Sequence, residues 1–247
     1  MGEPNVMLTA VVLFLLAASS GNQDDKAADE AVDAFKTAIK STSEADRVSA
    51  VNDLAKVHHL KTLARLAAML STDGPTVRIA AAKGISGFVE LKKQAVTALA
   101  GAMSANSKET TVHSALYEAL GKLEEPASLP TLHRGFEEKE TVVAKAAIQA
   151  TGAVGNAASI EPLIAYLTKQ EKIQKSPAGS VDFTAPTPGG GGNVTVRSGD
   201  ENPGKRAAEL IPAINKALNE ITRESNGSAE TWGAWWAKNK ATFKTIK

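Results

Sequence analysis

The sequence predicts an all-α fold, an α-solenoid of about four helical hairpins with capping helices at both ends. Three observations carry this. An alanine (Ala50, Ala81, Ala115, Ala146) is followed about 14 residues later by an apolar triplet at helical spacing (Leu63/Leu66/Leu70, Val96/Leu99/Met103, Leu129/Leu132/Phe136, Ile160/Leu163/Leu167). The unit recurs about every 31 to 34 residues, the period of a stacked helical hairpin. Aromatic residues are only 4% of a chain that is 43% hydrophobic and rich in alanine, which suits helices packed through small side chains better than a β-sandwich.

The elements follow in order. Residues Met7–Ala18 form an apolar run with small residues at Ala18 and Ser20. That is the length of a signal-peptide core and short for a bilayer span. Residues 1–20 therefore read as a signal peptide, and the protein as exported, periplasmic or secreted, with no stable membrane span after cleavage. Glu3 and the lack of a leading lysine or arginine depart from the usual pattern, so membrane anchoring by an uncleaved segment is the alternative, with a buried N-terminal helix a third. Residues 21–42 predict an N-terminal capping helix with Ala28, Val32, Phe35 and Ile39 on one face. Residues 43–173 hold the four repeats, beginning near Ser43, Pro75, Glu109 and Thr141. Asp73-Gly74-Pro75, Glu125-Pro126 and Ser159 ahead of Pro162 supply the breaks. Six places after the alanine column stand Gly87, Gly121 and Gly152, which predict either close helix approach or left-handed helix ends.

Residues 174–204 are crowded with glycine and proline, including Gly189–Gly192. They read as a long loop whose β-prone pieces, Ser180–Thr184 and Asn193–Arg197, either pair as a short hairpin or belong to a disordered insertion. Residues 205–247 return to helix as a C-terminal helical cap. Leu210, Ile211, Ile214, Leu218 and Ile221 share one stripe, and Trp232, Trp235 and Trp236 are spaced to share one face.

The segments Val77–Gly87 and Val143–Gly152 resemble the first helix of short bacterial HEAT-like repeats, a type also found in phycobilisome lyases. The resemblance spans roughly Ser43 to Lys172. It implies a protein-binding scaffold or adaptor, with a lyase-like or other enzyme as the branch suggested by the lyases. Ile221-Thr222 followed by Trp232-x-x-Trp235-Trp236-x-x-Asn239 resembles the tail of signal-bearing bacterial HEAT-like proteins.

Chemistry is sparse. Lysine and arginine total 28 against 27 acids, without the basic stripe that nucleic acid requires. No cysteine is present, so no disulfide, thiolate metal site or cysteine nucleophile forms. His58, His59, His113 and His133 lack acidic partners at zinc-like spacing, and Gly189–Gly192 lacks the lysine of a phosphate loop, so no metal, cofactor or catalytic residue is predicted. Asn193-Val194-Thr195 and Asn226-Gly227-Ser228 match the glycosylation sequon. Arg65, His133 and Arg134, beside the apolar triplets of the second helices, are the candidate partner-binding residues on an otherwise small, uncharged surface. The tryptophans read as a structural cap, or as an exposed platform in an envelope carbohydrate-binding protein. The expected function is a non-enzymatic interaction scaffold in the cell envelope, its partner a protein.

Overall fold

A computed structural model describes residues 23–175 and 203–244, and every regular element among them is helical. The predicted leader and most of the predicted loop lie outside the described residues. No helix among the described residues is long and apolar enough to cross a membrane. The chain divides into two compact units, Met1–Ser128 and Leu129–Lys247.

In the first unit, helix α1 (residues 23–38) buries Ala28, Val32 and Phe35. Its outer acids Asp25 and Asp29 meet Lys61 at 3.1 and 2.8 Å. Helix α2 (Glu44–Leu54) starts where the Ser43 hydroxyl accepts the Asp46 N–H, satisfying one of the amides a helix start leaves free. Helix α3 (Leu60–Thr72) is capped by His59, whose Nδ1 accepts the Lys61 N–H at 3.2 Å, while Thr62 Oγ1 accepts the His59 N–H. Helix α4 (Pro75–Ile85) opens on proline, which has no N–H to leave unsatisfied. Helices α5 (Lys92–Ala102) and α6 (Thr110–Lys122) complete the unit. Helix α4 packs against α2, α3 and α6, and α5 packs against α3 and α6. The buried contacts come from the predicted columns: Ala50, Ala81 and Ala115 on the first helices, and Leu63, Leu66, Leu70, Val96 and Leu99 on the second.

The second unit holds α7 (Leu129–Arg134), α8 (Thr141–Val154), α9 (Ile160–Lys175), α10 (Pro203–Thr222) and α11 (Ala229–Asn239). Helix α7 is short because a 3-10 turn, Gly135–Glu137, takes over and carries the third apolar residue, Phe136. Helix α10 packs along both α8 and α9, and α11 packs on α9. The pair α10 and α11 thus contacts α9 as α4 and α5 contact α3. Within α10 the buried stripe runs through Ala207, Leu210, Ala213, Ile214, Ala217, Leu218 and Ile221. Ile211 is only half-buried and Pro212 faces outward.

The column glycines divide differently from the expectation of left-handed ends. Among the described residues the positive φ angles belong to Gly155 (67°), Glu124 (49°) and Arg223 (62°). Gly152 lies inside α8, where an added Cβ would stand 2.9 Å from the Ala217 Cα of α10. Gly87 follows α4 beyond a right-handed Ser86. At 152 the missing side chain serves helix approach, because a backbone atom cannot swing aside as a side chain can.

Two glycine substitutions should therefore move stability in opposite directions. A helical Gly→Ala change ordinarily gains about 1 kcal/mol. Gly233→Ala in α11, where nothing lies within 4 Å, should keep that gain. Gly152→Ala should instead lose up to about 2 kcal/mol net, because overpacking against backbone costs about 1–3 kcal/mol. Urea unfolding of both variants measures the contrast, and equal shifts would contradict the close-approach account.

Candidate binding surfaces

The first surface is the outer side of α3 and α5. On α3 the buried Leu63, Leu66 and Leu70 leave Ala64, Arg65, Ala68 and Ser71 exposed. The equivalent positions are Thr97, half-buried Ala98 and Gly101 of α5 and Ser104 in the 3-10 turn that follows it. Nothing stands within 4 Å of the Cβ that Gly101 lacks. These positions are small-sided apart from Arg65, which has no hydrogen-bond or ion-pair partner among the described residues.

Polar groups hold this face in place. Arg47 grips Asp73 with two parallel hydrogen bonds, Nε to Oδ2 at 2.9 Å and NH2 to Oδ1 at 3.1 Å, and its NH1 reaches the Ser41 and Thr42 carbonyls. Arg78 donates to the Asp73 carbonyl and, at 3.2 Å, to the side-chain oxygen of Asn106. Asn106 is fully buried and donates to the Leu70 and Ala102 carbonyls, both at 2.8 Å. These contacts tie α2, α4 and the ends of α3 and α5 to each other.

The Arg47 hydrogen bonds, helped by the Gly74 N–H, hold the Asp73 carboxyl below its ordinary value against a smaller opposing effect of burial. As pH falls the unfolded chain accepts this proton first, so the stabilisation is present above about pH 4 and is lost as pH drops through the lower folded value. Asp73→Asn should accordingly be less stable than the parent near neutrality, with the difference shrinking toward about pH 3. Urea midpoints across that range test this, and a gap that widens in acid would overturn the assignment.

The other sequence-selected residues lie in the second unit. His133 is half-buried, with Nε2 2.9 Å from the buried Ser159 Oγ and its ring 5.5 Å from that of Phe136. Burial pushes its pKa down. His133 is thus engaged inside the unit, bridging α7 to the turn before α9. Arg134 is exposed and donates to the Pro130 carbonyl one turn back. Arg65 belongs to the first unit and the other two to the second.

The remaining histidines also have local roles that their spacing did not announce. His58 packs on Phe88 at 4.8 Å, His59 caps α3, and buried His113 stacks on Tyr117 at 5.2 Å. Among the described residues no group of three or more His, Cys, Asp or Glu could hold a metal ion.

The tryptophans split into two environments. Trp232 is fully buried and its indole N–H donates to Asn215 Oδ1 of α10 at 2.8 Å. Trp235 and Trp236 are half-buried, with ring centres 6.2 Å apart at 24°, and both meet Phe243 edge-on. Trp236 donates to Glu161 Oε1 at 3.1 Å. Lys240 bonds the same carboxylate, and the two donors lower its pKa, Lys240 contributing most. One aromatic edge therefore carries a carboxylate and an ammonium at its rim.

A cavity of about 250 Å³ also opens in the second unit, between Tyr166, Lys169 and Gln170 of α9 and Arg206 of α10. Its polar walls are largely committed. Tyr166 donates to the Phe136 carbonyl, Lys169 pairs with Glu137, and Arg206 donates to the Glu138 and Lys139 carbonyls. The Gln170 side-chain oxygen is buried without a donor. Sequence periodicity had no signal for this cavity, since Arg206 comes from beyond the glycine-rich stretch. The chain matches no family model and no curated protein.

Proposed function

We propose that the chain is an exported HEAT-like repeat protein, an α-solenoid whose second helices present an interaction face to a protein partner. One observation carries this reading. Successive helical pairs reuse the same buried columns, yet most of the positions that flank those columns on the outer side, among them Ala64, Ala68, Thr97 and Gly101, carry short side chains or none. Short side chains let a partner's backbone approach closely, and rigid helices lose little conformational entropy on binding. The mechanism is passive: repeats supply shape, and Arg65 supplies orientation. Helix α1 and the tryptophan-bearing hairpin after α9 act as caps, and residues 1–20 direct export.

Photo-crosslinking residues introduced at Ala68 and Gly101 test the proposal in the native host. A discrete protein adduct at both positions, weakened by Arg65→Glu, is the expected result. Absence of adducts at both positions, in folded protein, would overturn it.

A second reading has its own observation, the half-buried Trp235 and Trp236 pair with Glu161 and Lys240 at its edge. Aromatic faces bordered by hydrogen-bonding groups suit carbohydrate, whose rings combine apolar faces with hydroxyl rims. Glycan binding lost in Trp235→Ala with helicity retained would favour this reading over the scaffold.

A further inference from the structure

The turn between α10 and α11 contains Asn226-Gly227, where an asparagine immediately precedes glycine; at every other asparagine in the sequence the following residue is not glycine. Backbone nitrogen attack on a side-chain amide requires the chain after the asparagine to swing freely, and glycine, having no Cβ, allows this best. Here the attacking nitrogen and the side-chain amide are unbonded, and the Gly227 carbonyl is held by one long hydrogen bond, from Asn215 at 3.3 Å. Asn226 is partly exposed and Gly227 exposed, and among the described residues no group hydrogen-bonds to the Asn226 amide or to the Gly227 N–H. Nothing lies within 4 Å of the Cβ that Gly227 lacks.

Asn106-Ser107 provides an internal contrast. A small residue also follows this asparagine, but its amide is fully buried, both its N–H groups are bonded to carbonyls, and its oxygen accepts from Arg78. The two sites differ in what the fold permits.

We propose that Asn226 is a site of spontaneous deamidation, and that the isoaspartate formed there loosens the seat of the buried Trp232 of α11. The Gly227 nitrogen attacks Asn226 Cγ, forming an N–Cγ bond. The Cγ–Nδ2 bond breaks, and ammonia leaves with the proton lost by Gly227. Water then opens the succinimide. Attack at Cγ gives aspartate, and attack at the main-chain carbonyl carbon gives isoaspartate, whose backbone runs through the former side chain. No oxidant or reductant is involved.

The consequence follows from one short chain of contacts. The Gly227 carbonyl accepts from Asn215 Nδ2 at 3.3 Å, and Asn215 Oδ1 accepts the Trp232 indole N–H at 2.8 Å. An extra methylene in the backbone beside Gly227 moves this carbonyl, so Asn215 loses one of the bonds that aim it at Trp232. Ordinary aspartate at 226 leaves the backbone length unchanged, and its charge near the start of α11 is favoured by the helix dipole. Isoaspartate is therefore the form that releases Trp232.

The experiment ages the purified full chain in mildly alkaline buffer, maps peptides by mass, and labels isoaspartate with an isoaspartyl methyltransferase. Early labelling at 226, none at 106, and a red shift of tryptophan emission in the labelled fraction are expected. Gly227→Ala and Asn226→Gln should each reduce labelling at 226 to the level of Asn106. Helicity measured by circular dichroism confirms that the variants fold. Labelling at 106 as early as at 226, or modification at 226 that persists unchanged in Gly227→Ala, would overturn the site. Unchanged emission from fully isoaspartyl protein would overturn the coupling to Trp232.

Discussion

Trp232→Ala is expected to destabilise the protein by about 3–5 kcal/mol, the range for emptying a buried large aromatic site. The ring is fully buried between α11 and its neighbours. Its removal also strands Asn215 Oδ1, which accepts the indole N–H. Trp232→Phe separates the two contributions, because it refills much of the space but restores no donor. Its cost should be smaller, with about 1 kcal/mol of it from the lost hydrogen bond. Trp235→Ala should cost less than Trp232→Ala, since that ring is only half-buried and packs against Trp236 and Phe243 at the edge. Urea unfolding monitored by far-ultraviolet dichroism gives all three values. Equal costs at 232 and 235 would contradict the division between a packed residue and an edge residue.

Asn106→Ala should cost about 3 kcal/mol, a large figure for so small a side chain. Cavity formation is minor here, and the cost comes from polar groups. The Leu70 and Ala102 carbonyls lose their Asn106 donor, and each buried group left without a partner costs about 1–3 kcal/mol. Arg78 simultaneously loses its contact with the asparagine oxygen. Asn106→Asp keeps the shape and retains an acceptor for Arg78, but points oxygen at two carbonyls in place of donors. It should therefore recover little of the loss at neutral pH. A well-folded Asn106→Asp protein with parental stability would show that hydrogen bonding at this position is dispensable.

Both residues show how far the sequence could be read. The alanine columns and apolar triplets identified helices, their order and most of the buried faces, because a period near 3.6 directly encodes which side of a helix meets its neighbours. Asn106 carries no such signal. It stands in a 3-10 turn among serines and alanines, and its role depends on carbonyls supplied by α3 and α5. His59 is similar: it is one of two adjacent histidines in sequence, but the backbone turns there so that its ring caps α3. Gly152 was visible as a recurring glycine, yet whether it ends a helix or admits a neighbour depends on Ala217, far along the chain.

The candidate surfaces divide in the same way. Arg65 remains exposed as expected, whereas His133 is drawn into contact with Ser159 and Phe136. The tryptophan spacing predicted a common face but could not distinguish the buried Trp232 from the half-buried Trp235 and Trp236. That distinction depends on Asn215 and Glu161, which approach from two other helices.

By itself the sequence determined the all-helical class, the succession of helical pairs and the apolar columns that unite them, since local periodicity and helix-breaking residues act over a few turns. Only the tertiary structure decided which polar residues became fasteners, which glycine marks a close approach and which tryptophan is sealed. Those outcomes require atoms from distant segments to meet, and a hydrogen bond or an overlap exists only once both partners are in place.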